Sequence, residues 1–73
     1  MKYKNFEEAL EHLANYHSLR TKVEKVVEAV YWHLVGHGYK PTIVNDRYIA
    51  HEGKDYQLRR NRKINGWEVK ELG

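Results

Sequence analysis

The chain has 73 residues, and a domain of that length buries only about 60% of the surface its unfolded form exposes. It has no cysteine, which excludes disulfides, thiolate metal sites and thiol nucleophiles. Its 13 basic and 10 acidic residues leave a net charge of +3, a modest excess whose distribution says more than its size.

These bounds predict one small domain spanning residues 1–73. A core of this size seldom supplies more than about 3–5 kcal/mol without a staple, so a homodimer is the remaining way to bury more area. A small chain without disulfides fits a cytoplasmic address better than an extracellular one. No apolar run approaches the ~18 residues of a membrane span. The start, MKYKNFEEAL, has lysines with no apolar segment behind them, so it does not read as a signal peptide. It also lacks the glycine that myristoylation needs.

In chain order, Asn5 with Glu8 three residues on is an N-cap with a capping-box partner. Phe6, Leu10, Leu13 and His17 then recur at helical spacing with Ala9 beside them, which predicts a helix from Phe6 to about Tyr16. Ser18-Leu19-Arg20 breaks it. Thr21 with Glu24 repeats the capping-box signature, and Val23, Val26, Val27, Val30 and Leu34 form one stripe, predicting a second helix from Lys22 to Val35. Gly36 is the expected left-handed residue after it. So short a break predicts an αα-hairpin packed stripe to stripe.

Gly36-His37-Gly38 and Pro41 forbid further helix, and Tyr39 to Val44 reads as an extended segment carrying the chain to the sheet. Arg47 to Leu72 reads as a three-stranded antiparallel meander. Its first turn, Glu52-Gly53, allows two registers. A two-residue turn places Ile49 opposite Tyr56, and a three-residue turn with Gly53 as the bulge residue places Tyr48 there. Tyr56 and Leu58 alternate with Asp55, Gln57 and Arg59, and Trp67 and Val69 alternate with Glu68 and Lys70. The predicted inner face is therefore Tyr56, Leu58, Trp67 and Val69. Asn65-Gly66 marks the end of the second loop. The expected fold is α+β, in the order α-α-β-β-β, with the αα-hairpin on one face of the meander.

The charge is uneven. Residues 1–36 balance Lys2, Lys4, Arg20, Lys22 and Lys25 against Glu7, Glu8, Glu11, Glu24 and Glu28, so the whole excess falls in residues 37–73. Arg59-Arg60-Asn61-Arg62-Lys63 alone carries +4, which points to a local site. Arg59, Arg60, Arg62 and Lys63 are expected on or beside a projecting hairpin loop. Guanidinium groups there can grip phosphates or carboxylates with paired hydrogen bonds. The expected partner is nucleic acid, another polyanion or an acidic protein surface. The plainer alternative is a solvated charge cluster that guards the sheet edge.

A second class of function rests on the second helix. Tyr31 and Trp32 flank its stripe, and an exposed Trp32 would mark an interface, either with a protein partner, as in an accessory or inhibitory factor, or with a second copy of the chain. Tyr56 and Trp67 are assigned to the core, while Tyr3, Tyr16, Tyr39 and Tyr48 have no assigned place. His33 and His37 stand four apart, a spacing that can share a metal, but Gly36 is expected to end the helix between them. Asp46, Glu52 and Asp55 near the first turn have local turn-forming reasons to be there. No nucleophile elbow, phosphate-cradling glycine loop or metalloprotease motif occurs. No catalytic residue, metal site or cofactor is expected, and the chain reads as a non-catalytic binder.

Overall fold

A computed structural model describes residues 3–72, in which two helices cover one face of a four-stranded antiparallel sheet. The elements run α1 (Phe6–Ala14), α2 (Val23–Gly36), β1 (Thr42–Asn45), β2 (Tyr48–His51), β3 (Lys54–Asn61) and β4 (Gly66–Glu71), and the strands lie in sequence order across the sheet. The fold is α+β with one strand more than the predicted three. The extra strand begins in the expected extended connector and runs one residue past it, to Asn45, pairing Thr42 with Ala50 and Ile43 with Ile49. Its four residues are all exposed, and a bulge shifts the register between Ile43 and Asn45. Such a strand shows none of the apolar alternation by which strands are read. Its shortness, its bulge and Pro41 before it also blunt an outer edge that would otherwise template aggregation.

α1 begins as its cap predicts. The Asn5 Oδ1 accepts from the Glu8 N–H at 2.8 Å, while the Glu8 carboxylate reaches back to the Lys4 N–H at 2.9 Å. The helix ends at Ala14, two residues short of Tyr16. α2 carries the expected stripe, with Val26, Val27, Val30 and Leu34 all buried. Its start is shifted: Lys22 is the N-cap, without a side-chain cap bond, and Thr21 stands outside the helix. The Thr21 carbonyl accepts instead from Arg60, so tertiary anchoring overrides the local capping signal. Its end is also shifted, because Gly36 is helical and Gly38 takes the left-handed conformation at φ +94°. The Gly38 N–H then donates to the Val35 carbonyl and the Tyr39 N–H to that of Leu34. This paired closure suits glycine at the first position and an apolar residue at the second, and Tyr39 packs against the core.

The eight positions 15–22 between the helices do not make a tight turn. The helices divide the sheet, α1 lying against β4 and α2 against β1, β2 and β3, rather than covering it as one compact hairpin. Glu52 and Gly53 both have positive φ, 50° and 78°, the geometry of a two-residue hairpin turn whose twist matches the strands. That selects the register with Ile49 opposite Tyr56, which puts both side chains on the helix-covered face, where both are buried. Leu58 pairs with Val69 and Arg60 with Trp67. The core joins Leu10, Leu13, Val27, Val30, Leu34, Ile49, Leu58 and Trp67, with Val69 partly buried against it. No helix among the described residues is long and apolar enough to cross a membrane.

Candidate functional site

The topology places different groups at the two ends of the molecule. At one end Phe6, at the start of α1, stacks on His51 beside the β2–β3 turn, with ring centroids 4.0 Å apart. At the other end the α1–α2 connection, the β1–β2 turn and the β3–β4 loop come together. Arg20, Lys22, Arg47, Arg62 and Lys63 belong to these segments, Arg59 and Arg60 stand at the end of β3 beside them, and all seven are exposed. Asp46 is the acid of the same segments, and Glu24 in the first turn of α2 and Glu68 on β4 adjoin them. The basic run is thus one part of a wider basic end, to which Arg20, Lys22 and Arg47 also belong.

Within the run the four predicted residues separate. Arg62 and Lys63 lie in the β3–β4 loop, between Asn61 and Gly66, with side chains in solvent. The Asn61 Oδ1 accepts from the Lys63 N–H at 3.0 Å, and its Nδ2 donates to Glu68 at 3.0 Å. Asn61 therefore shapes the loop. Asn65 closes the loop with φ 51°, its N–H donating to the Arg62 carbonyl. Arg59 is on β3, not on the loop, and its Nε lies 3.8 Å from the Glu68 carboxylate across the strand pair. So long and exposed an ion pair holds the side chain only loosely.

Arg60 departs from the expected tip. It continues the inner face after Tyr56 and Leu58, and its guanidinium lies 5.1 Å from the centre of the Trp67 ring. Its Nε donates to the Leu19 carbonyl at 2.8 Å and its Nη2 to that of Thr21 at 2.7 Å. Arginine suits this position because its flat fork bonds two carbonyls while its face stacks on an indole. Arg60 fastens the helix connection to the sheet and does not project with Arg62 and Lys63.

Asn15 makes a second fastening that sequence reasoning missed. Its Oδ1 accepts from the Trp67 N–H at 2.8 Å, and its Nδ2 donates to the Trp67 carbonyl at 2.9 Å and the Glu11 carbonyl at 2.8 Å. One side chain thus pairs with the edge of β4 as a neighbouring strand would. Gly66 leaves the room, since a Cβ there would overlap the Asn15 carbonyl oxygen. The Trp67 Nε1 donates to the His17 carbonyl at 3.1 Å.

A depression of about 300 Å³ lies at this end, lined by Val23, Arg47, Gln57, Leu58, Arg59, Arg60 and Trp67. No carboxylate lines it, and three of its seven residues are arginines. A second one, of about 640 Å³, lies along α1 and is lined by Tyr3, Asn5, Glu7, Glu8, Glu11, His12 and Asn15. There the Tyr3 hydroxyl and the His12 Nδ1 are hydrogen-bonded at 2.9 Å. Burial raises the Tyr3 pKa, with smaller contributions from Tyr16, Tyr39 and Glu8. His37 packs edge-on against Tyr3, and no group of three metal-ligating side chains occurs among the described residues.

Tyr31 is half-buried and Trp32 is 63% exposed, their rings meeting edge-on at 5.1 Å. The two are adjacent on α2, and both lie outside the buried stripe. No protein-family model matches this chain, and neither does any curated protein or solved structure.

Proposed function

We propose that the chain is a non-catalytic binder of nucleic acid or a similar polyanion, acting in the cytoplasm, with Arg62 and Lys63 as the projecting contacts. One observation carries the reading. Both side chains are exposed on a loop and have no carboxylate partner among the described residues, and Arg20, Lys22 and Arg47 extend the positive surface behind them. Projecting cations reach phosphates without desolvating the body of the protein, and each phosphate they neutralise releases counterions. The loop is short, so its contacts are with the backbone and carry no sequence preference. Arg59 swings free of its loose pair to join them, and Arg60 contributes field from a fixed position. Fluorescence anisotropy with labelled duplex and single-stranded oligonucleotides tests the reading at about 50 mM salt, where phosphate contacts are strong. Binding by the wild type, weakened alike on unrelated sequences in an Arg62→Ala/Lys63→Ala variant, supports it. Absence of binding to either form overturns it.

A second reading rests on Trp32. A tryptophan 63% exposed beside Tyr31 suits an interaction or homodimer face. Such a face gains its affinity from apolar burial and keeps it as salt rises, whereas the basic end loses affinity. Sedimentation equilibrium at about 100 µM separates the two, because even a micromolar dimer would be largely formed. A monomer mass there removes the homodimer.

A further inference from the structure

We propose that the depression beside β3 is a seat for one phosphate group, gripped by Arg47 and Arg60. The proposal rests on the polyanion reading and names a place within the basic end that the projecting loop does not occupy. β2 stops at Tyr48, opposite Gln57, while β3 runs on to Asn61 with β4 as its only strand partner. The shorter strand leaves a notch at the sheet edge, and the depression of about 300 Å³ fills it.

Three features suit that notch to a phosphate. The first is charge, because Arg47 and Arg60 line it without a carboxylate ion-pair partner among the described residues, and no carboxylate lines it. Like charges so gathered repel one another, and an entering anion relieves the repulsion. The second is preorganisation. The carbonyls of Leu19 and Thr21 and the face of Trp67 already fix Arg60. Its Nε and Nη2 are engaged, leaving Nη1 without a partner among the described residues. Little rotamer entropy remains to be lost when an oxyanion meets it. Arg47 is anchored through its backbone: its N–H donates to the Asn45 Oδ1 at 2.9 Å and its carbonyl accepts from the Leu58 N–H at 3.0 Å. The third is the start of α2. Val23 lines the depression, and the N-cap Lys22 supplies no side-chain cap bond, so the positive end of the helix dipole adds to the field. Trp67 is fully buried and offers no ring to a base. The notch therefore recognises the phosphate and not the nucleobase.

A terminal phosphate and a backbone phosphodiester share this chemistry. The test follows the arginine Nε–Hε resonances by NMR during titration with inorganic phosphate. It then measures binding of one oligonucleotide with and without a 5′-phosphate. Arg47→Ala is the informative variant, because replacing Arg60 also unfastens the helix connection. The expected result is that phosphate moves the Arg60 and Arg47 resonances more than that of Arg62. Arg47→Ala should bind the oligonucleotide about tenfold more weakly, as loss of one charge-assisted contact implies, with an unchanged melting temperature. If the tenfold loss vanishes when the 5′-phosphate is removed, the seat takes a terminal phosphate. If it persists, the seat takes the backbone. Full binding by Arg47→Ala beside weakened binding by Arg62→Ala/Lys63→Ala overturns the seat and leaves the polyanion reading standing. Phosphate-induced shifts in a wild type that binds no oligonucleotide overturn the polyanion reading and leave a seat for free phosphate. Unmoved Arg47 and Arg60 resonances overturn the seat outright.

Discussion

Arg60 and Trp67 face each other across β3 and β4, with the guanidinium 5.1 Å from the centre of the buried indole. The same guanidinium bonds the carbonyls of Leu19 and Thr21. One side chain thus ties the sheet, its largest buried residue and the connection between the helices. This divides the basic run by role: Arg60 holds the fold, whereas Arg62 and Lys63 face solvent.

Arg60→Ala should therefore destabilise the protein, by about 1–2 kcal/mol, the scale of a charged hydrogen-bond pair discounted for exposure. Arg60→Lys should not restore the loss, because an ammonium lacks the planar fork. Urea denaturation measures both, with Arg62→Ala as the control expected to stay within about 0.5 kcal/mol of wild type. An Arg60→Ala midpoint equal to that of the wild type would show that the two carbonyl bonds contribute nothing.

The Asn15–Gly66 contact predicts coupling of a particular sign. Asn15→Ala leaves the outward N–H and carbonyl of Trp67 without their partner and should cost about 1–3 kcal/mol. Gly66→Ala drives a Cβ into the Asn15 side chain and should also destabilise. In the double variant the obstructing amide is gone, so the combined loss should fall clearly below the sum. Additive losses in a denaturation cycle would mean that Gly66 is constrained by something other than Asn15.

Leu58→Ala and Val30→Ala test the buried interface between sheet and α2. Each should cost about 2–4 kcal/mol, since both sites are enclosed and collapse poorly. For so small a domain that is a large part of the total stability. A melting midpoint unchanged in either variant would place the core elsewhere.

Tyr56 carries a pH signature. Burial raises its pKa, Glu71 adds to the rise and Lys54 opposes it. A phenol whose folded pKa lies above its unfolded value of about 10 contributes stability that is complete below that pH. The contribution is lost as pH rises through the folded pKa, because the unfolded chain ionises first. The urea midpoint should therefore drop above about pH 10, and Tyr56→Phe should drop less over the same range. Parallel pH profiles for the two proteins would remove Tyr56 as a contributor.

Much of this architecture is legible in local pattern. Asn5 with Glu8 marks the start of α1, the stripe from Val23 to Leu34 marks the buried side of α2, and Tyr56, Leu58, Trp67 and Val69 mark the inner face of the sheet. The Glu52-Gly53 register is settled by burial, since only the two-residue turn places Ile49 on the same face as Tyr56. Arg60 was legible too: one more step of period-two alternation from Tyr56 and Leu58 turns it inward, but the dense run of cations draws it into the tip. β1 was hidden because nothing in it is buried. The choice of Gly38 over Gly36 depends on Tyr39 reaching the core, and the displaced cap at Thr21 depends on Arg60. Asn15 gives no local signal, since its partner Trp67 lies 52 positions away.

The most direct measurement is the salt dependence of binding to one duplex, for the wild type and for Arg62→Ala/Lys63→Ala. With three or four phosphates engaged, log K should fall against log salt with a slope of about −3 to −4. Removing two projecting cations should flatten that slope by about 2, while the urea midpoint stays where it was. Equal affinities and equal slopes for the two proteins would contradict the account, and the basic loop would then be a solvated guard at the end of the sheet.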